Sequence, residues 1–215
     1  MSHQYAYLHG FASSDQSHKG TELAERLARF GVRLRRPNIN HPSFRKMTYS
    51  SIVDFLTEYD DEHAGRDETW RFVGSSMGGY LAARWAELHP ERVDRLLLLC
   101  PGFALDDRWP DLLGDEAFHS WEEEGTFPFL DGAGKMQPVH WAFLEDARTH
   151  PDFPEVACPV RIIHGTRDPI VPIDSSRRYA AEHDNVELVE VDDEHSLTQS
   201  LDTIEEHIID FFELN

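Results

Sequence analysis

Lysine is nearly missing from this chain. Of 20 basic residues only Lys19, Lys46 and Lys135 are lysines, against 40 acidic residues and a net charge of −20. Such a surface repels nucleic acid and anionic membranes, so neither is expected as a partner. Two readings of the acidity stay open: a solubilising face, or adaptation to high salt, where screening relieves self-repulsion. Neither bears on catalysis. Cysteine is scarce too. Cys100 and Cys158 each precede a proline near an apolar run, which fits small buried thiols in a reducing compartment, although sequence does not decide whether they pair. Long hydrophobic runs are absent. The longest aliphatic run is Leu96-Leu97-Leu98-Leu99, too short for a bilayer. The N-terminus passes straight into a strand pattern without a basic-then-apolar leader, so a cytoplasmic location is expected. There is no H-E-x-x-H, no C-x-x-C, no G-K-[ST] after the glycine pair Gly78-Gly79, and no G-x-G-x-x-G. Neither a metal nor an organic cofactor is therefore expected. The run Asp192-Asp193-Glu194-His195 could attract a cation but reads more simply as a solvated face.

What is present is alternation. Tyr5–Leu8, Val32–Arg35, Thr69–Val73, Arg95–Cys100, Val160–Gly165 and Val186–Val191 read as strands. Between them fall helical patterns at 19–30, after a cap at Thr48 or Ser50, at 79–88, at 173–182 and at 201–212. Residues 60–67 read as a polar surface loop. Strands alternating with helices imply a parallel sheet covered on both faces. At 215 residues the chain fits a single domain, 1–215. The stretch 103–157 breaks the rhythm with Trp109, Phe118, Trp121, Phe127, Phe129, Trp141 and Phe143 among glycines, prolines and acids. It shows no strand pattern. A structureless loop of that length is improbable in a compact domain, so it reads as a small, mostly helical insertion over the strand ends.

The most informative residues are Gly74-Ser75-Ser76-Met77-Gly78, a G-x-S-x-G between a predicted strand and a predicted helix. A serine on so tight a turn is strained and projects above the sheet edge, and the flanking glycines let strand and helix approach. That is the nucleophile elbow of α/β-hydrolases. A serine hydroxyl needs a base and a group to orient the base, in the chain order Ser, acid, His. Asp168 follows the strand ending at His164, and His195 follows the strand ending at Val191. Loops after parallel strands share one edge, so Ser76, Asp168 and His195 are expected to converge. Asp174, Asp192 and Asp193 are rival acids. Asp168 is preferred because it follows its strand directly. The oxyanion donors expected are the backbone N–H of Met77 and, after the first strand in His9-Gly10-Phe11, that of Phe11. Ser75 has no motif role, and Tyr80 and Trp85 read as packing residues.

Tyr7-Leu8-His9-Gly10-Phe11-Ala12-Ser13-Ser14, with Lys19 downstream, resembles the opening of small bacterial α/β-hydrolases of the YqiA/YcfP esterase type. Val73–Tyr80 and His164–Pro172 are similar to that group and to mitochondrial depalmitoylase-like hydrolases. The resemblance covers most of the chain outside 103–157. It implies serine esterase or thioesterase activity on acyl substrates, with Ser76, Asp168 and His195 as the matched triad.

The expectation is thus a three-layer α/β/α sandwich with about six mostly parallel strands, no antiparallel N-terminal hairpin, and a small helical lid at 103–157. The expected activity is carboxylester hydrolysis of a small-molecule acyl ester through an acyl-enzyme. Substrate choice is expected to lie in the aromatic lid, favouring an apolar short-to-medium acyl group. Alternatives are a thioesterase or deacylase on acyl-CoA or acylated protein, a C–C bond hydrolase, and a non-catalytic receptor on the same scaffold.

Overall fold

The computed structural model describes residues 2–214. Its chain order is β1 (Ser2–Leu8), α1 (His18–Ala28), β2 (Leu34–Arg35), α2 (Tyr49–His63), β3 (Glu68–Ser75), α3 (Met77–Leu88) and β4 (Val93–Leu99). Then follow α4 (Trp109–Leu113), α5 (Asp115–Glu124), β5 (Thr126–Leu130), β6 (Met136–His140), α6 (Ala142–Ala147), β7 (Val160–Gly165), α7 (Ile173–Glu182), β8 (Val186–Val191) and α8 (Leu201–Phe211). Six strands form one sheet in the order β2-β1-β3-β4-β7-β8, every pair parallel. This is the three-layer α/β-hydrolase arrangement.

The two-residue period of the strands sorts side chains onto two cores. Ala6, Leu8, Phe72, Leu96 and Leu98 face α2 and α3. Tyr7, Val73, Leu97, Leu99 and Ile163 face α1 and α8, whose Leu23, Leu27, Ile204 and Ile208 are completely buried. After β1 the chain moves outward to β2, then returns past β1 to β3. The sheet therefore has its switch point between β1 and β3, the place where open α/β sheets leave a crevice at the carboxyl ends of the strands.

Helix α2 begins in a capping box, in which Thr48 and Ser51 satisfy each other's backbone N–H groups. Of the stretch 60–67 expected to be a surface loop, residues 64–67 do form a loop, while the helix runs on to His63 through the first half. Asp60 lies inside it, buried, accepting from Trp70 Nε1 at 2.7 Å and paired with Arg92 at 2.6 Å. A satisfied carboxylate can be buried in a way that an acidic run does not advertise.

Residues 103–157 contain three α-helices, a short 3-10 turn and also an antiparallel hairpin, β5–β6, that the sequence pattern did not reveal. Its cross-strand pair Pro128–Pro138 places two residues without N–H donors opposite each other. The aromatics of this segment pack inward. Trp121 is fully buried, 5.4 Å from Trp109, 5.1 Å from Phe129 and 5.4 Å from Trp141, and its Nε1–H donates to the Val139 carbonyl at 2.9 Å. Truncation there opens a cavity and removes that hydrogen bond. Trp121→Ala is expected to cost about 3–5 kcal/mol by urea denaturation. A loss below about 1 kcal/mol would show the segment to be loosely attached.

Candidate active site

Ser76 occupies the sharp turn between β3 and α3 with φ +54° and ψ −119°. Non-glycine residues avoid that region, and holding one there costs on the order of 1–3 kcal/mol. The surroundings enforce it. Ser76 N–H donates to Leu99 O of β4 at 2.9 Å, and Ser76 O accepts from Gly79, Tyr80 and Gly102. The turn also needs its glycines. A Cβ on Gly78 would stand 2.3 Å from Leu8 O, and one on Gly74 2.6 Å from Gly78 O. Strand β1, the elbow and α3 thus meet at backbone distance.

The loops after β7 and β8 bring the other two predicted side chains to this point. His195 Nδ1–H donates to Asp168 Oδ2 at 2.6 Å, and Ser76 Oγ lies 2.9 Å from His195 Nε2. An ionised carboxylate can only accept, so Nδ1 carries the proton and Nε2 is free to accept from the serine. Asp168 has a fully buried side chain. Burial pushes its carboxyl up, but hydrogen bonds from His164 and His195, the imidazole charge and the Val171 N–H outweigh burial and hold it well below the usual carboxylate range. Its Oδ1 accepts from Ile170 N at 2.8 Å and Val171 N at 2.9 Å.

The rival acids stand elsewhere. Asp192 faces solvent beside Arg167, and Asp174 pairs with Arg177. Asp193 is buried but turns into its own loop, accepting from Glu194 N, Gln199 N and Ser200 Oγ. It fixes the loop that carries His195.

Sequence reasoning missed three supporting side chains. His164, fully buried, sits behind Asp168 with Nε2 3.3 Å from Oδ2 and 2.9 Å from Val171 O, while Ser176 Oγ lies 2.8 Å from its Nδ1. His9, also buried, accepts from Ile39 N on Nε2 at 3.1 Å, so its Nδ1–H donates to Gly10 O at 2.9 Å. Burial lowers its pKa, which favours this neutral form. Ser75, given no role, is 3.4 Å from Lys19 Nζ. The only hint was position: two histidines at strand ends and a lysine in the first turn of α1.

The N–H groups of Phe11 and Met77 have no backbone acceptor among the described residues. The Phe11 ring is wedged among Phe44, Trp109, Phe129 and Phe143 at centroid distances of 5.5, 5.3, 5.1 and 5.3 Å. The inserted segment therefore grips the loop after β1. A cavity of about 340 Å³ opens beside Ser76 and His195, on the side of α1 and α8, with walls from Tyr7, Phe11, Lys19 and Leu201. None of its lining comes from 103–157. On the insertion's side, the space between Tyr49, Tyr80, Gly102 and Leu105 shrinks to about 10 Å³, no more than one water needs. The aromatic segment is thus closely packed where it meets the elbow. Its larger hollow, lined by Leu113, Gly114, Ala117, Ser120 and Phe127, has neither Ser76 nor His195 in its wall. The cavity that these two residues line is the one on the side of α1 and α8, not one beneath the segment, where the apolar acyl group was expected.

Cys100, Asp168 and His195 place potential ligand atoms within 4.8 Å of one another. That set suits a metal poorly. Burial pushes the Cys100 thiol up to about 12, so it stays protonated, and the carboxylate and imidazole already satisfy each other. Both cysteines are free.

The profile of the uncharacterised protein family UPF0227 matches residues 4–213. The chain belongs to that family. Within the curated proteins, this UPF0227 chain is 30% identical over 170 residues to a pimeloyl-[acyl-carrier protein] methyl ester esterase of Chromobacterium violaceum, over 63% of this chain and 64% of that protein. It is 32% identical over 112 residues to the poly(3-hydroxyalkanoate) polymerase subunit PhaC of Haloferax mediterranei, over 43% of this chain and 22% of that one. The chain thus spans less than two thirds of either relative. In fold it is similar to Est1E of Butyrivibrio proteoclasticus, solved with ferulic acid, at a TM-score of 0.81 and 19% identity, covering 99% of this chain and 88% of Est1E. Among the described residues no helix is long and apolar enough to cross a membrane.

The Asp168 carboxyl is depressed below its unfolded value of about 3.9. The stability it contributes is therefore complete above about pH 4 and is lost as pH falls through the folded value. The difference in unfolding free energy between wild type and Asp168→Asn should be level near neutrality and shrink below about pH 4. Denaturation series across pH test this, and a difference unchanged to about pH 3 would contradict an ionised, hydrogen-bonded Asp168.

Proposed function

We propose that this protein is a serine hydrolase, a carboxylesterase acting on small acyl esters. The observation that carries the reading is the unbroken chain Asp168–His195–Ser76, at 2.6 and 2.9 Å, opening on a cavity. Ser76 Oγ attacks the acyl carbonyl while His195 Nε2 takes its proton. Asp168 holds the imidazole in the correct tautomer and stabilises the imidazolium. The Phe11 and Met77 N–H groups receive the oxyanion, the role for which donors without other acceptors are suited. His195 then protonates the departing alcohol, the acyl group remains on Ser76, and His195 activates water to release it. The motif resemblance to YqiA/YcfP-type esterases supports the same reading, as does the partial likeness to a methyl ester esterase.

The 2.9 Å contact also sets the test. A fluorophosphonate should add once to the wild type, by intact mass, and not at all to Ser76→Ala. Turnover of p-nitrophenyl acetate to octanoate should fall about 10⁴-fold or more in that variant. An adduct elsewhere than Ser76 would contradict the assignment. An adduct at Ser76 without ester turnover would replace carboxylester hydrolysis by thioester or C–C chemistry on the same triad, or by a receptor role.

A further inference from the structure

Lys19 is the anomaly of the molecule. In a chain of 40 acidic and 20 basic residues, most arginines meet a carboxylate: Arg26, Arg71, Arg92, Arg161 and Arg177 each pair at 3.1 Å or less. Lys19 has no ion pair among the described residues. It projects from the first turn of α1 into the wall of the cavity that holds Ser76 and His195, and its hydrogen-bond partner there is the neutral Ser75 hydroxyl at 3.4 Å. Burial lowers its pKa to about 8, countered in part by Cys100, Asp193 and Asp168, none of which forms an ion pair with it. By surface area the residue is half-buried, and it lines the cavity. An ammonium in such a place lacks a counter-charge, and a ligand is the natural supplier.

Resting on the esterase reading above, we infer that the cavity takes an acyl chain ending in a carboxylate, and that Lys19 is the residue that selects it. The lining supports a short spacer with a polar end: Phe11 and Leu201 give apolar wall, while Ser13, Ser17 and Thr198 offer hydroxyls. The volume of about 340 Å³ lies at the small end of ligand sites, about 300–1,000 Å³. No arginine joins the lining, so the site suits a monoanion and not the several phosphates of a coenzyme A thioester. Ser75 precedes the proposed nucleophile, so an anion held at Lys19 would lie a short chain from the scissile carbonyl. Against a surface of net charge −20, one cation at the site also gives an anionic substrate a local point of attraction.

The test compares p-nitrophenyl butyrate with the p-nitrophenyl hemiesters of succinic, glutaric and adipic acids, on wild type and Lys19→Met. In wild type at least one hemiester should exceed the neutral ester in kcat/KM. Lys19→Met should lower that hemiester's value about 10–100-fold more than it lowers butyrate's, mainly through KM. Lys19→Arg should restore part of the preference. An equal fall for both esters, or a preference for hemiesters that survives Lys19→Met, would overturn the inference. Calorimetry of monomethyl glutarate on Ser76→Ala, with and without Lys19→Met, gives a readout that needs no turnover. Binding lost with Lys19 supports the anion site even if the hydrolase reading fails, and binding indifferent to Lys19 rejects the site even if hydrolysis is found.

Discussion

The site depends on a backbone held where serine does not rest. At φ +54° Ser76 lies in sterically unfavourable space, and four backbone hydrogen bonds keep it there: one given to β4, and three received from α3 and from Gly102. The strain has a geometric product. It lifts Oγ off the end of β3 while leaving the Met77 N–H, at the start of α3, without a backbone acceptor among the described residues. Gly78 then lets the helix start press against Leu8 and His9 of the neighbouring strand end. One turn thus sets the position of the hydroxyl, of one free donor and of the loop that bears the second. Strain of this kind persists only where the surroundings over-determine it.

From that turn outward the supports are hydrogen-bonded in series. Asp168 is held by two N–H groups and two imidazoles, His164 by Ser176 and Val171, and the His195 loop by the buried Asp193. On the other side His9 ties Gly10 to the loop after β2. The aromatic segment completes this frame. Its rings close on Phe11, so the segment that breaks the strand–helix rhythm anchors the loop after β1. The open volume lies on the opposite side, between the elbow and helices α1 and α8.

Much of this was legible in the sequence. The boundaries of β7, α7 and β8 coincide with the predicted ones, because apolar alternation and helical spacing are local signals. The adjacency of Ser76, Asp168 and His195 was legible for a different reason: strand ends of a parallel sheet share an edge, so three separate loops can be placed together without knowing any contact. What stayed hidden depends on contacts between distant segments. Asp60 reads as solvated until Trp70 and Arg92 are brought to it. The β5–β6 hairpin is masked by its facing prolines. His164 and Lys19 look like an ordinary strand end and an ordinary helix start. Only the packing shows one of them backing a carboxylate and the other in a cavity wall with no ion pair among the described residues.

On the reading proposed above, the Ser76 turn aims a nucleophile and two backbone donors at one point. A crystal structure of the protein carrying a phosphonate on Ser76 tests it most directly. The account predicts the phosphoryl oxygen about 2.7–3.1 Å from both the Phe11 and Met77 nitrogens, with the alkyl group in the cavity lined by Tyr7, Lys19 and Leu201. A phosphoryl oxygen turned to solvent, or an alkyl group lodged beneath the aromatic segment instead, would contradict it.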